Sequence, residues 1–312
     1  MKSKAKADTN SSKELNVFKY FKEYYFMSLK EPDAEEIFDL YLYRPLGLIV
    51  ALIAKGLPVT PNHISIISMA LGLFSGYLLA KGSFILAALI LILANMFDCA
   101  DGQLARIKHN GTTIGRIIDG AIDYVVYTAI YVGIAINLYN TDAIGIWAFV
   151  ITFIAGVMTA VQSATLDYQR HRYLAALKGT DYGDASVENL HREYLTLKKN
   201  RKSFFKRSLF RIYLIYTSIQ KRFSRTESTY IISRKNETWR KIFTDKQRIF
   251  LKFWTFMGSS THLTVLVLLL FFNEVKLYLE LVIVAGTIYW SLLILIQYLR
   301  IDRKMKQNES RE

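Results

Sequence analysis

The sequence predicts an all-α integral-membrane bundle of six transmembrane helices, with an N-terminal interfacial helix and a basic, mainly helical cytoplasmic insertion between spans four and five. Three observations carry that prediction. The 312 residues are 52% hydrophobic and 14% aromatic, too apolar for a disordered chain. Their apolar residues gather in runs close to the roughly 20 residues that a helix needs to cross a bilayer. Finally, the net charge of +14 collects on one alternate set of connections.

The elements follow in chain order. Residues 1–32 form a tail whose first part is polar and predicted to be disordered. The aromatic stretch FKYFKEYYF later in that tail is suited to the headgroup layer. Residues 33–57 read as a helix lying at the interface, capped by Asp33 with Glu36 three residues on. This stretch is no signal peptide, being neither N-terminal nor followed by a cleavage-like site. Residues 58–165 hold four spans, at Asn62–Ala80, Ser83–Phe97, Arg116–Tyr139 and Ile144–Thr165, the second short enough to need its flanks. Ser68, Gly72 and Gly76 recur every four residues on the first, a spacing that lets helix backbones approach closely. The insertion covers 166–250, the spans Trp254–Phe272 and Leu277–Leu299 lie within 251–301, and 302–312 is a polar tail.

Charge sets the expected orientation. The connections around Lys81, YNTDAI and Lys276 are nearly free of Lys and Arg, whereas 166–250 carries 20 Lys and Arg against 8 Asp and Glu. The positive-inside rule places that basic side, with both termini, in the cytoplasm. A basic face beside anionic headgroups needs no nucleic acid as partner, and no nucleic-acid-binding motif is present. Cys99 is the only cysteine, so no intrachain disulfide can form. His63, His109, His171, His191 and His262 lack metal-ligand spacing, and most are expected at the surface or interface.

The chemistry-bearing stretch is DCADGQLARIKHNGTTIGRIIDGAID, with carboxylates at Asp98, Asp101, Asp119 and Asp123. Acids at the edge of a bilayer are costly and mark a functional site by default. Asp98 and Asp101 are three apart and Asp119 and Asp123 four apart, so each pair shares one helix face. Four converging carboxylates repel unless a divalent cation lies between them, and oxygen ligands suit Mg²⁺ or Mn²⁺.

The pattern Asp98-x-x-Asp101-Gly102-x-x-Ala105-Arg106, eight residues, then Gly115-x-x-x-Asp119-x-x-x-Asp123 resembles the signature of the CDP-alcohol phosphotransferase family. The placement of the signature at the end of span two and the start of span three, and Thr60-Pro61-Asn62 before span one, also resemble that family. The resemblance implies attack by an alcohol on a CDP-linked donor, at the phosphorus that stays with the donor alcohol, with release of CMP. It implies that Asp98, Asp101 and Asp119 hold one or two Mg²⁺ or Mn²⁺ ions. Asp123 is implied to be the general base and a contact to a second ion. Asn62, Gly102, Ala105, Arg106 and Gly115 are implied to meet the nucleotide, and a homodimer is implied as the assembly. Glycine there has a steric rationale, since a Cβ would collide with a nucleotide lying on the helix backbone. The stretch after span four, SATLDYQRHRY, is similar to the Ser-Tyr-x-Arg-Ala-Arg of members with phosphatidylinositol-type chemistry, with Asp167 and His171 replacing the Ser and Ala. Arg170 and Arg172 are thus candidates to grip an acceptor phosphate.

The expected reaction joins CDP-diacylglycerol to a polar alcohol, with inositol phosphate as the favoured acceptor. The alternative moves a CDP-linked headgroup such as ethanolamine or choline to a lipid alcohol such as diacylglycerol. Two remoter readings are a UbiA-type membrane prenyltransferase, whose two acidic motifs stand far apart in the chain, and a cation transporter, which needs acids near mid-span beside broken helices.

Overall fold

The computed structural model describes residues 19–29, 31–142, 144–179, 232, 234–303 and 305, and no side chain at 113, 114, 116 or 117. Residues 19–28 form α1. A 3₁₀ turn at Pro32–Ala34 and a π-helical turn at Asp39–Tyr43 lead into α2, Arg44–Lys55. Then come α3 (Pro61–Ala80), α4 (Phe84–Ile107), α5 (Thr113–Thr141) and α6 (Trp147–Lys178). Helices α7 (Glu237–Trp254) and α8 (Ser259–Phe271) follow, and α9 spans Val275–Asp302 with two π-helical stretches.

Among the described residues, five helices are long and apolar enough to cross a membrane, namely α3, α4, the 118–141 part of α5, α6 and α9. A sixth span results if Glu237–Met257 and Ser259–Phe271, bent by 42° at their junction, count as one. The polar ends of the spans also differ from expectation. α4 continues past Phe97 to Ile107 and α6 past Thr165 to Lys178. Helix propagation is cheap once started, so a polar face with partners extends a helix beyond its apolar run. Of the expected insertion, the two ends belong to α6 and α7, while 180–231 lies outside the described residues.

Within 33–57 the 3₁₀ turn gives way to an unbroken helical run over residues 37–55, π-helical at Asp39–Tyr43. Asp33 lies inside the 3₁₀ turn, whose N-cap is Glu31 without a side-chain bond, and its Oδ2 pairs with Arg248 Nε of α7 at 2.9 Å. Tyr43, Leu48 and Ala51 are fully buried, with α2 packed along α4. The acids Asp33, Glu35 and Glu36 find partners in Arg248, Arg44 and Arg170, and this pairing offsets the desolvation of the segment.

α3 runs along both α4 and α5 and forms the wedge between them. Its start is built into the sequence: Thr60 caps it in a reciprocal box with His63, and Pro61 fills the first turn, where no N–H is needed. A Cβ added at Gly76 would stand 2.6 Å from the Ala129 carbonyl of α5, and one at Gly72 2.6 Å from Val126. The Ser68 hydroxyl turns the other way, donating to the Ala94 carbonyl of α4 at 2.8 Å. The small-residue stripe is therefore the seam on which the two acid-bearing helices close.

Candidate active site

α4 and α5 are joined by a short turn, in which His109 takes a left-handed φ of 51° and Lys108 Nζ ties the end of α4 to the Val59 carbonyl at 2.8 Å. Thr112 caps α5, its hydroxyl accepting from the Gly115 N–H at 2.9 Å. The carboxylates of the two helices are thereby brought to one place. Asp98, Asp101 and Asp119 each offer an oxygen, and these oxygens lie within 4.8 Å of one another. Asp101 is buried, Asp98 and Asp119 half-buried. This all-oxygen set fits a hard divalent cation, and without one the three charges oppose each other. Asp123, one turn beyond Asp119, is exposed and stands outside this trio.

Asp101 has a partner that sequence reasoning missed. The Ser65 hydroxyl of α3 donates to its carboxylate, and both residues are buried. Ser65 continues the Ser68–Gly72–Gly76 face by one turn, which was the available signal.

The implied nucleotide contacts lie at the start of α3, the end of α4 and the start of α5. The Asn62 Oδ1 lies 3.6 Å from where a Cβ on Gly115 would stand. The atoms nearest to a Cβ on Gly102 would be those of the Arg106 guanidinium, the first at 3.4 Å, the far end of a movable side chain. Ala105 is 3.8 Å from where a Gly111 Cβ would be. The Arg106 Nε donates to the Ser28 carbonyl, the last of α1.

The two arginines of α6 part company. Arg170 is half-buried, its Nε donating to the Ala34 carbonyl at 2.6 Å and its Nη1 pairing with Asp167 at 2.8 Å. Asp167 in turn lies within electrostatic reach of Asp123. Arg172 is not brought to the carboxylates; it is buried against Asp302 of α9 at 2.7 Å, between the rings of Phe243 and Tyr168. The reason is helical geometry, since residues two apart point about 200° away from each other.

The N-terminal segment supplies further charge that the sequence did not reveal. Glu36 is buried; its carboxylate accepts from the Thr261 N–H at the start of α8 at 3.1 Å and lies 3.8 Å from Arg170 Nη2. Burial pushes the Glu36 carboxyl up to about 8, with Asp39 adding to the rise and Arg170 opposing it. Burial also raises Asp39, against the pull of Arg44, while Arg44 pairs with Glu35 at 2.7 Å. His262, on α8, is buried rather than at the surface.

Residues 58–183 match the family model described as CDP-alcohol phosphatidyltransferase. Archaetidylinositol phosphate synthase of Pyrococcus horikoshii is 31% identical over 137 residues, which are 44% of this chain and 66% of that protein. Phosphatidylinositol phosphate synthase of Corynebacterium glutamicum is 34% identical over 105 residues, 32% of this chain and 48% of that protein. A bifunctional IPC transferase and DIPP synthase of Aquifex aeolicus is 28% identical over 145 residues, 46% of this chain and 31% of that protein. The chain thus spans less than two thirds of each of these relatives. No solved structure gives a significant match.

Proposed function

We propose that this chain, a CDP-alcohol phosphatidyltransferase through its residues 58–183, joins CDP-diacylglycerol to a polar alcohol, inositol phosphate being the favoured acceptor, at the cytoplasmic membrane face. The observation that carries the reading is the convergence of Asp98, Asp101 and Asp119 from two helices inside the matched domain. The names of the archaeal and corynebacterial relatives, both inositol phosphate lipid synthases, favour the acceptor. α4 and α5 run unbroken through the acids, which argues against a transporter, and both acid pairs lie within 26 residues, which argues against the UbiA type.

In this reaction the acceptor hydroxyl oxygen forms a bond to the phosphorus on the diacylglycerol side, and the P–O bond to CMP breaks. The hydroxyl proton goes to Asp123, an exposed residue one turn beyond Asp119. Asp98, Asp101 and Asp119 would hold Mg²⁺ or Mn²⁺, and such an ion supplies positive charge to the diphosphate as negative charge builds there. The protein otherwise works by positioning. Gly115 lies beside Asn62 and against the capping Thr112 hydroxyl, Gly102 lies under the Arg106 guanidinium with Ala105 as the next smallest neighbour, and Arg106 offers a forked donor to phosphate. Arg170, rather than Arg172, is the residue proposed for the acceptor phosphate.

The test is a radiolabelled assay on purified protein with CDP-diacylglycerol and CDP-ethanolamine, across a panel of alcohols, with Mg²⁺ or Mn²⁺. CMP release from CDP-diacylglycerol dependent on inositol phosphate is the expected result. Absence of CMP from either donor with every alcohol overturns the reading, and release from CDP-ethanolamine alone replaces it with headgroup transfer.

A further inference from the structure

Arg106 belongs to α4, yet the group that fixes it comes from α1, a helix outside the matched domain. The carbonyls of the last turn of any helix lack intrahelical partners and carry the negative end of the helix dipole. In α1 three of these four carbonyls have named partners. The Tyr25 carbonyl accepts from the Ser28 hydroxyl at 2.8 Å, and the Phe26 carbonyl from the Leu29 N–H at 3.3 Å. The Ser28 carbonyl is left for the Arg106 Nε.

Ser28 is held firmly enough to serve as a fixed point. It has no exposed surface, and its hydroxyl accepts from Gln103 Nε2 of α4 at 3.0 Å. Gln103 is itself fully buried one turn before Ile107, beneath Gly47 of α2, where a Cβ would stand 2.8 Å from its Oε1. The Tyr25 hydroxyl donates to the Leu40 carbonyl, binding α1 to the chain that leads into α2.

The choice of nitrogen matters. A guanidinium held at Nε keeps its two terminal nitrogens together as a fork, the edge that matches a phosphate. Here Nη2 and Nη1 stand 3.4 and 3.7 Å from where a Cβ of Gly102 would be, above the backbone left bare by that glycine. We infer that Ser28 is a positioning residue: its carbonyl holds Arg106 by Nε so that the terminal nitrogens stay over Gly102 to receive the diphosphate of a CDP-linked donor. This inference rests on the transferase reading above.

The test is a double-mutant cycle on the full-length protein. Ser28→Ala removes the hydroxyl that pins the carbonyl, and Arg106→Lys removes the fork. Ser28→Ala is expected to raise the KM for the CDP-linked donor about 5- to 10-fold, the size of one hydrogen bond, with kcat within about 2-fold and Mn²⁺ binding unchanged. In the Arg106→Lys background the same change is expected to add nothing, because the group it positions is gone. If Ser28→Ala does not fold, Gln103→Leu, which breaks the other bond to the Ser28 hydroxyl, takes its place in the cycle. Equal effects in both backgrounds, or a loss of kcat and Mn²⁺ affinity with donor KM unchanged, overturn the inference. Wild-type protein that releases no CMP from any donor overturns the transferase reading instead, and the two failures are thereby separate.

Discussion

The Ser65 hydroxyl of α3 is the hydrogen-bond donor to the buried Asp101 carboxylate of α4. It joins the wedge helix to one of the three acids that converge between α4 and α5, so the packing of α3 and the geometry of the site are one feature. Ser65→Ala is predicted to weaken Mn²⁺ binding by about 10- to 100-fold, the usual cost of losing an outer-shell partner. Titration with Mn²⁺ followed by electron paramagnetic resonance reads this without turnover. Wild-type affinity in the variant would show that Asp101 needs no such support.

Asp123 lies one turn beyond Asp119 on α5 and within electrostatic reach of Asp98. Asp123→Asn keeps size and hydrogen-bonding capacity but cannot take a proton. Turnover is predicted to fall by about 10²–10⁴-fold, the range of general-base contributions, with folding and donor binding retained. Comparable losses in donor binding and thermal stability would assign this acid to structure.

Buried Arg172 pairs with half-buried Asp302 and ties α6 to α9. Removing Arg172 takes the ion pair from Asp302, a loss that approaches the cost of breaking a buried pair only in part. Arg172→Ala is therefore predicted to lower thermal stability in detergent, whereas Arg170→Ala raises the KM for a phosphorylated acceptor. A rise in acceptor KM for Arg172→Ala at unchanged stability would reverse these roles.

Gly133 meets Gly76 where α5 crosses α3, and a Cβ there would run into the Gly76 carbonyl. The obstacle is backbone, which cannot swing aside. Gly133→Ala is predicted to destabilise by about 1–3 kcal/mol, as overpacking does, and to weaken Mn²⁺ binding by moving Asp119 away from Asp101. Thermal unfolding and Mn²⁺ titration on the same sample check both effects; no change in either would mean that the helices separate freely.

Glu36 carries the pH dependence. Its folded-state value of about 8 lies above the ordinary 4.5, so the native protein holds a proton that the unfolded chain releases between those limits. Its contribution is intact below about pH 4.5 and is lost as pH rises through about 8. Glu36→Gln keeps the neutral form at every pH, and its Tm relative to wild type is predicted to improve from pH 5 to pH 8.5. A constant Tm difference across that range would show that Glu36 is charged throughout.

Much of the site was legible because its information is local. Asp98 with Asp101, and Asp119 with Asp123, fall on shared faces by spacing alone, and Thr60-Pro61 announces the start of α3 by cap chemistry. Arg170 and Arg172, two residues apart on α6, point to different sides of that helix and meet different partners. Asp33 misled for the opposite reason. An acid followed three residues later by Glu36 is a sound local cap, but Arg248 lies more than 200 residues away and competes for it.

What the order of residues determined by itself was the bilayer as solvent and the pairing of acids along each helix, because both depend on composition and periodicity over short windows. What only the tertiary structure decided was which groups from distant stretches complete the site: Ser65 on Asp101, the Ser28 carbonyl on Arg106, Glu36 at the start of α8. Those contacts arise where helices cross, and a crossing is set by the packing of small residues and buried charges across the whole bundle rather than by any neighbour in the chain.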